Sequence, residues 1–456
     1  MKESIKTVLL WGLSILLIFM VAEIWIQIPN ITKETQKQEN FEKNRLKMEL
    51  LGPKELLLSF SDTEQTLVYD IQPYWTMMQM GLKDLYENAE AKDVSPMKAE
   101  DYRKFLQEGQ VLSLNFSGIL DHGNWAQLLQ LDPGTLPKKI PGKLLSLDLS
   151  LNRDLLMIRT DQGAFLVRSH LRTRDLLKDR VSMVYDSRRY RNYTSLWKKY
   201  GVANMVYIPR INTQAPEDIP LENKLQTMSG QVQNNLARRY LRQNIDYIRE
   251  IVEDQAVTYV YDQKVLRLNK NGWLTYKDGQ KNSDQEDSLV QSLDAALDFI
   301  TSHTGMTGSL YISKIERIQD RDNPGYIFYF NMLANHKRVY RMDQDPYLAR
   351  LEVHGQDISQ MDFLYQKPME REIVQNVEIA KEVLSPEEII DQNLSLLDPG
   401  SKSLEETLGQ LKWIDSAYVE LDPPGGQRVL RAAWAIKIKD RIFLMDMETG
   451  SLIMEG

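Results

Sequence analysis

The stretch TVLLWGLSILLIFMVA, residues 7 to 22, decides how this chain is organised, because it carries no charge and almost no polar side chain. It lies within a longer apolar segment, Ile5 to Ile28. As a helix, that segment would extend about 36 Å at about 1.5 Å per residue. The hydrocarbon core of a bilayer is about 30 Å thick and needs about 20 such residues. The sequence therefore predicts a single N-terminal transmembrane helix that carries a large polar-surfaced body.

The flanks of this segment predict its orientation. Lys2 and Lys6 lie on the short N-terminal side, where positive charge favours the cytoplasm. We expect a cell-membrane protein with a cytoplasmic N-terminus and an extracytoplasmic body. Trp11 and Trp25 lie toward opposite ends of the segment, where aromatic rings favour the membrane interfaces. A cleaved signal peptide is the main alternative and a buried soluble helix a further one, but Met20-Val21-Ala22 matches a small-x-small cleavage site poorly.

Three residues inside the segment are candidates for contact with a partner helix. Glu23 lies near the outer end, where its carboxylate either reaches the headgroups or makes a polar contact, since ionisable residues in spans are often functional. Gly12 and Ser14 are small and would let a second helix approach closely. No GxxxG motif is present. Partner contact through Gly12, Ser14 and Glu23 is a hypothesis.

The composition is that of a globular protein and excludes several classes of function. The chain has 456 residues, of which 42% are hydrophobic and 26% charged. A net charge of -8 without a basic cluster argues against nucleic-acid binding. The absence of cysteine excludes disulfides, thiolate metal sites, cysteine nucleophiles and lipid attachment at cysteine. A cysteine-free extracytoplasmic body fits a Gram-positive bacterial envelope.

The body is predicted to be α+β and to consist of several domains. Residues 32–45, TKETQKQENFEKNR, contain one apolar side chain, Phe41, too little for a core. The proline-rich stretch PRINTQAPEDIP, residues 209–220, marks the first boundary inside the body. The expected divisions are 1–28 cytoplasmic start and transmembrane helix, 29–52 stalk, 53–215 N-terminal domain, 216–370 middle domain and 371–456 C-terminal domain.

Local patterns predict several elements of this body. Asn271-Gly272 indicates a hairpin turn, and Asp287–His303 has the apolar face of an amphipathic helix. Ser385, followed by Pro386 and Glu388, is typical of a capped helix start. Asp186–Tyr200 is predicted to be an amphipathic surface helix, with a patch for an acidic partner as the alternative.

The middle and C-terminal domains share an order of elements. In both, a helix is followed by a strand, a Pro/Gly turn, a strand, a tight hairpin and a further strand. No residue-level identity accompanies this order. We expect each of these two domains to form an antiparallel sheet with packed helices, which indicates a duplication.

No motif points to catalysis, a cofactor or a metal. The five histidines are scattered, and the sequence lacks HExxH, GxxxxGK[ST], GxGxxG and GxSxG. Ser195 to Lys198 matches SxxK, but the companion SDN and KTG motifs are absent. The turn with Asp320, Asp322 and Asn323 lacks the full calcium-loop pattern. We therefore predict no catalytic, cofactor-binding or metal-binding residue.

Exposed aromatic side chains suggest one further possibility. Trp273, Trp413 and Trp434 could line a groove for a ligand or peptide, although core packing is the commoner role of tryptophan.

Four stretches together resemble a known family. They are KTVLLWGLSILLIF, GILDHGNWAQLL, VYDQKVLRLNKNGWLTY and AAWAIKIKDRIFLMDMETGSLI. Their order, over nearly the whole chain, resembles the YycH family of Gram-positive bacteria. The closing hairpin is also similar to PepSY-type and YycI-type ends.

The resemblance implies a membrane-anchored, non-catalytic regulator with a three-domain ectodomain whose last two domains are alike. Its partner would be the two-component sensor histidine kinase YycG, also called WalK, which controls cell-wall metabolism. The sister protein YycI would act with it, and the anchor helices would take part in the contact. Two alternatives stay open: an envelope enzyme or wall-assembly factor with a plain tether, and an extracytoplasmic ligand-binding sensor.

Overall fold

The computed structural model describes the body of the chain from residue 47 onward, with gaps. The expected span Ile5–Ile28, with Gly12, Ser14 and Glu23, lies outside the described residues. Within them, no helix has both the length and the apolar character needed to cross a membrane. The described residues are 47, 50–61, 64–68, 70–88, 93–107, 109–129, 131, 139–168, 170–190, 192–202, 206–209, 217–279, 288–304, 310–320, 323–342, 346–369, 383–401, 403–422 and 427–455.

Helices and strands alternate along the described chain, which confirms the α+β class. The helices are α1 Gln72–Asn88, α2 Ala99–Gln107, α3 His122–Leu128, α4 Arg174–Ser187, α5 Leu196–Tyr200, α6 Gly230–Leu241, α7 Leu289–Thr304, α8 Pro386–Gln392, α9 Leu394–Leu397 and α10 Leu404–Gln410, with a 3₁₀ turn at Ile245–Tyr247. The strands are β1 Glu55–Ser59, β2 Gln65–Val68, β3 Val94–Met97, β4 Val111–Asn115, β5 Leu144–Ser150, β6 Leu155–Thr160, β7 Gly163–Arg168, β8 Tyr193–Ser195, β9 Tyr207–Pro209, β10 Ile219–Asn223, β11 Arg249–Val252, β12 Ala256–Tyr261, β13 Lys264–Asn269, β14 Trp273–Asp278, β15 Leu310–Ile318, β16 Gly325–Ala334, β17 Lys337–Arg341, β18 Ala349–His354, β19 Asp357–Leu364, β20 Gln366–Pro368, β21 Leu411–Leu421, β22 Val429–Ile438, β23 Arg441–Asp446 and β24 Leu452–Glu455.

The first sheet comprises nine of the described strands, in the order β3-β7-β6-β5-β4-β1-β2-β8-β9. All its pairs are antiparallel. Alternation along β1 places Leu56 and Leu58 in the main core, which also holds Trp75 of α1 and Trp125 of α3. On the opposite face, apolar side chains of α2 form a second, smaller cluster with Val111, Met157 and Leu166. That cluster covers only part of the second face.

The second sheet joins the middle and C-terminal parts of the described chain. It contains fifteen described strands, and its central pair, β17 with β21, is parallel, with Val339 opposite Tyr418. Strands β11 to β16, β18 and β19 pair antiparallel, as do β21 to β24. The two expected antiparallel strand sets are therefore present, but they belong to one mixed sheet.

The middle and C-terminal units share the same pairing for their first two strands after the helix, but their third strands pair differently. Strand β23 pairs along β22 from Ala433 to Ile438. Its counterpart by order, β17, pairs with β16 only at Leu333 and Ala334 and then pairs with β21. Strand β18 takes the place beside β16. The third strand of the middle unit is thus the element that joins the two halves.

Several local predictions are confirmed. Gly272 has a φ of 101° in the hairpin between β13 and β14, where positive φ favours glycine. Helix α7 buries Leu293, Leu297 and Ile300, as its apolar periodicity predicts. At the start of α8, the Glu388 amide donates to the Ser385 hydroxyl (3.1 Å), and the Ser385 amide donates to the Glu388 carboxylate (2.7 Å).

The predicted helix over Asp186–Tyr200 is wrong. Helix α4 ends at Ser187, because Arg188 adopts the left-handed conformation with φ 53°. Residues 193–195 are extended as β8, which pairs with β2 and β9, and a separate short helix, α5, follows. Strand pairing and the left-handed cap therefore override the amphipathic pattern.

Residues from the end of the expected stalk are already packed into the body. Lys47 is 7% exposed and forms an ion pair with Asp294 of α7 (Nζ to Oδ1, 2.8 Å). Leu50 and Leu51 are buried in the main core, and the Trp125 indole donates to the Leu51 carbonyl (3.0 Å). We call the described residues 47, 50 and 51 the junction segment. It ties the start of the described chain to both α3 and α7.

Candidate functional site

A cavity of about 380 Å³ lies between the uncovered part of the first sheet and the C-terminal strands. Its walls come from strands that are far apart in sequence. Its polar and aromatic lining includes Glu55, Ser113, Asp148 and Arg159 from the first sheet, Tyr102 of α2, Tyr207 of β9, and Arg338, Tyr340, Trp413 and Asp415 from β17 and β21.

Small side chains on the C-terminal strands leave room for this cavity. Alternation in β21 and β22 places Ala417 and Ala435 on the cavity face. The opposite face carries Tyr418, Trp434 and Ile436, which lie in the main core with residues of α8 and α10.

Two carboxyl groups and a guanidinium meet in the cavity: Glu55 of β1, Asp415 of β21 and Arg338 of β17. Burial, reinforced by the charge of Glu55, raises the pKa of Asp415 to about 8, while Arg338 and Lys337 oppose the shift. The Arg338 guanidinium lies 5.8 Å from the ring centres of both Trp413 and Tyr311. Within the described part of the chain, no ion pair within 4.0 Å links Arg338 to either carboxylate.

The N-terminal side is a hydrogen-bonded network around Asp148, which is 1% exposed. Its carboxylate accepts from the hydroxyls of Tyr102 (3.1 Å) and Ser146 (2.8 Å). The Arg159 Nε donates to the Ser146 hydroxyl (3.2 Å). Burial raises the pKa of Asp148, against the opposing effect of Arg159. Burial likewise raises the pKa of Tyr207 to about 12.

The hydroxyl of Ser113 adds a polar group to this wall. Ser113 is 3% exposed, and its Oγ makes no hydrogen bond of good geometry within the described residues, although its proximity lowers the pKa of Asp148. Both signs of charge, several aromatic rings and a buried hydroxyl therefore converge on one concave site. Aromatic rings combined with a few convergent polar groups are typical of ligand-binding sites.

The SxxK residues do not form a nucleophile and base in this structure. Ser195 ends β8, precedes α5 and is 2% exposed. Its Oγ has no hydrogen-bond partner among the described residues, whereas Lys198 is on the exposed side of α5. A nucleophile needs its base within hydrogen-bonding reach.

The possible calcium turn is only partly described. Asp320 and Asn323 lie between β15 and β16, and Asp322 is outside the described residues. Across the described part of the chain, no group of three or more His, Asp or Glu side chains could hold a metal ion.

The three candidate tryptophans have different environments. Trp434 is 6% exposed, and its indole donates to the Leu384 carbonyl (3.0 Å). Trp273 is half-buried and packs edge-on against Tyr347, with ring centres 5.8 Å apart. Trp413 lines the cavity. The groove hypothesis therefore applies to Trp413.

Sequence reasoning missed the charged lining of the cavity. Asp148 occurs in LSLDLSL and Asp415 in WIDSAYV, where a carboxylate interrupts an apolar strand. That interruption was the available signal, because a buried charge on a strand needs a partner or a function. The signal does not reveal that Glu55 and Arg338 lie in the same cavity.

Comparison with known proteins yields only distant likenesses. No family model and no curated protein matches the chain. An uncharacterized protein from Eubacterium rectale aligns at 12% identity and a TM-score of 0.35, covering 56% of this chain and 92% of its own. The C-terminal domain of Bacillus megaterium YpeB aligns at 14% identity and a TM-score of 0.29, covering 50% and 97%. Neither likeness directly supports the YycH resemblance.

Proposed function

We propose that this chain is a non-catalytic, membrane-anchored regulator of a two-component sensor histidine kinase that controls cell-wall metabolism. In this proposal it acts with a sister single-span protein, and Ile5–Ile28 is the surface that contacts the kinase. The uncharged stretch of residues 7–22 at the start of a large folded body supports the membrane anchor, and the kinase partner is inferred from the resemblance to the YycH family.

The junction segment supports this proposal physically. Lys47, Leu50 and Leu51 are buried, and the ion pair between Lys47 and Asp294 fixes the segment against α7. These contacts hold the start of the described chain on the body.

The energy that such regulation requires is small. A regulator that binds one kinase state tenfold better than another needs about 1.4 kcal/mol of differential contact. One packed pair of helices supplies that much, and tethering to the same membrane raises the effective concentration of the partners. No chemical step at the body is needed.

A span exchange tests the proposal. Ile5–Ile28 is replaced by an unrelated apolar span of equal length, and the output of the kinase is measured in cells together with membrane crosslinking. We expect regulation and crosslinking to be lost while the body stays at the membrane. Unchanged kinase output with the foreign span would show that the segment is a plain tether.

Point variants refine the contact surface. Gly12→Leu, Ser14→Leu and Glu23→Leu should each weaken crosslinking to the partner helices, because they add bulk or remove a polar contact. Leu16→Ile, which conserves volume and polarity within the same span, is the matched control. Equal crosslinking by all four variants would place the contact elsewhere.

A further inference from the structure

We propose that the cavity between the two sheets binds a small zwitterion of the amino-acid class, with its ammonium between Glu55 and Asp415 and its carboxylate on Arg338. The site lies in the body and does not depend on which protein the membrane segment contacts. In this proposal the body binds a small molecule in addition to presenting the membrane segment.

The two carboxylates are the first step of the argument. Glu55 comes from β1 and Asp415 from β21, so two different sheets bring two carboxyl groups to the same cavity. Asp415 Oδ1 accepts from the Ser416 backbone amide (2.7 Å), and among the described residues no cation lies within 4.0 Å of either carboxyl group. An ammonium group neutralises such a pair and donates three hydrogen bonds. A calcium ion is a poorer match, because it takes six to eight oxygen ligands and the described residues offer no cluster of three acidic side chains.

The guanidinium is the second step. Arg338 is held over Trp413 and Tyr311, each ring centre 5.8 Å away, so its plane is positioned by aromatic contact. Burial lowers the pKa of Arg338, but Tyr340, Tyr311 and the two carboxylates raise it above its ordinary value. The group is therefore charged, and an arginine fork matches the two oxygens of a carboxylate.

Charges of both signs line the cavity and favour a ligand that carries two charges. Glu55 would disfavour a plain anion, and the cations Arg338, Arg159, Lys54 and Lys412 would disfavour a plain amine. A molecule with both charges meets an opposite charge at each end. The volume of about 380 Å³ suits an amino acid or a short peptide, near the lower limit of typical ligand sites.

Proton release provides an independent readout. The titratable and charged groups around Asp415 are Glu55 from β1, Lys337, Arg338 and Tyr340 from β17, and Lys412 on its own strand. With a pKa of about 8, Asp415 is mostly protonated at pH 7. A bound ammonium favours the carboxylate, so binding should release a proton. The heat of binding should then vary with the ionisation enthalpy of the buffer.

The test uses calorimetry at pH 7 on the full chain in detergent. The zwitterions are L-alanine, L-phenylalanine and L-alanyl-L-alanine, and the matched analogues of phenylalanine are phenethylamine and 3-phenylpropionate. We expect at least one zwitterion to bind, its single-charge analogues to bind at least about tenfold more weakly, and proton release to accompany binding. Absence of binding by all three zwitterions at millimolar concentration, or equal binding of an analogue, would overturn the proposal.

Variants locate the binding. Asp415→Asn and Arg338→Gln should each weaken affinity at least about tenfold, and Ala417→Leu should fill the cavity and block binding. Asp422→Asn and Arg441→Gln are the matched controls. Asp422 lies just after β21 and Arg441 begins β23, and both variants change the charge of an exposed side chain. Retained affinity in all three cavity variants would place the ligand elsewhere. The span exchange has a different readout, so either proposal can fail alone.

Discussion

Glu420→Gln should weaken the parallel strand pair that joins the two halves of the second sheet. Arg341 of β17 lies opposite Glu420 of β21 in the register, and their side chains form an ion pair of 2.7 Å. Their exposed fractions are 4% and 6%. A second cation, Arg428, lies 3.3 Å from Glu420. Replacing Glu420 by glutamine therefore removes the carboxylate that both arginines share.

The expected magnitude follows from this burial. Removing one partner of a buried ion pair costs about 3–5 kcal/mol, because the other charge is left without compensation. Since Arg341 and Arg428 both lose the Glu420 carboxylate, we expect about 3 kcal/mol or more for Glu420→Gln. Arg341→Met should cost less, about 1–2 kcal/mol, because Glu420 keeps Arg428 as its partner. The order of the two variants is as informative as their size.

Native-state hydrogen exchange at the amides of β17 and β21 measures the change in local stability of these two strands. A local measurement is needed because a chain of this size need not unfold in a single two-state transition. A loss of about 3 kcal/mol corresponds to roughly 150-fold faster exchange. Glu253→Gln is the matched control, because its ion pair with Arg267 is 45% and 48% exposed, and such pairs contribute at most about 1 kcal/mol. Equal effects of Glu420→Gln and Glu253→Gln, or a larger effect of Arg341→Met, would refute the reasoning.

Three further predictions concern single sites. Glu387→Gln removes the ion pair between α8 and Lys199 (2.7 Å). Since Lys199 is 45% exposed, the free energy of unfolding measured with urea should fall by less than about 1 kcal/mol, and high salt should abolish the difference. Burial lowers the pKa of His122 from 6.5 to about 4, so on acidification the unfolded chain takes up the proton at a higher pH than the folded chain. The free energy of unfolding should therefore fall between pH 6.5 and pH 4. His122→Gln should reduce this dependence on pH, as measured by urea titrations at each pH. Gly325→Ala would place a Cβ in steric overlap with the Val353 carbonyl oxygen, so amide hydrogen exchange in β16 and β18 should accelerate, with a loss of local stability above about 2 kcal/mol. An unchanged exchange rate would contradict this.

Short-range signals explain what could be predicted from the sequence. The cap at Ser385 and the face of α7 each depend on residues within a few turns, and both agree with the structure. The region 186–200 shows the limit of such reasoning. Its pattern predicts a helix, but Tyr193 pairs with Gln65 of β2, a contact that no local pattern contains.

The cavity could not be predicted for the same physical reason. Glu55 and Asp415 are separated by most of the chain, and the parallel pairing of β17 with β21 fixes where Arg338 lies relative to Asp415. A charge in an apolar strand is visible in the sequence, but its neighbours are not. Long-range pairing therefore determines the candidate site, whereas local periodicity determines the elements that carry it.

The buried ion pair and the cavity lie on opposite faces of the same two strands. Arg338 and Tyr340 point into the cavity, while Arg341 faces Glu420, in accordance with the alternation of a strand. Removing the ion pair between Arg341 and Glu420 should therefore displace Arg338 relative to Asp415 and lower the affinity for a ligand bound between them. On the other wall, Glu55 begins β1, which follows the junction segment directly. Strand β1 thus connects the docked start of the body to the cavity, and it is the shortest covalent path between the proposed ligand and the proposed membrane contact.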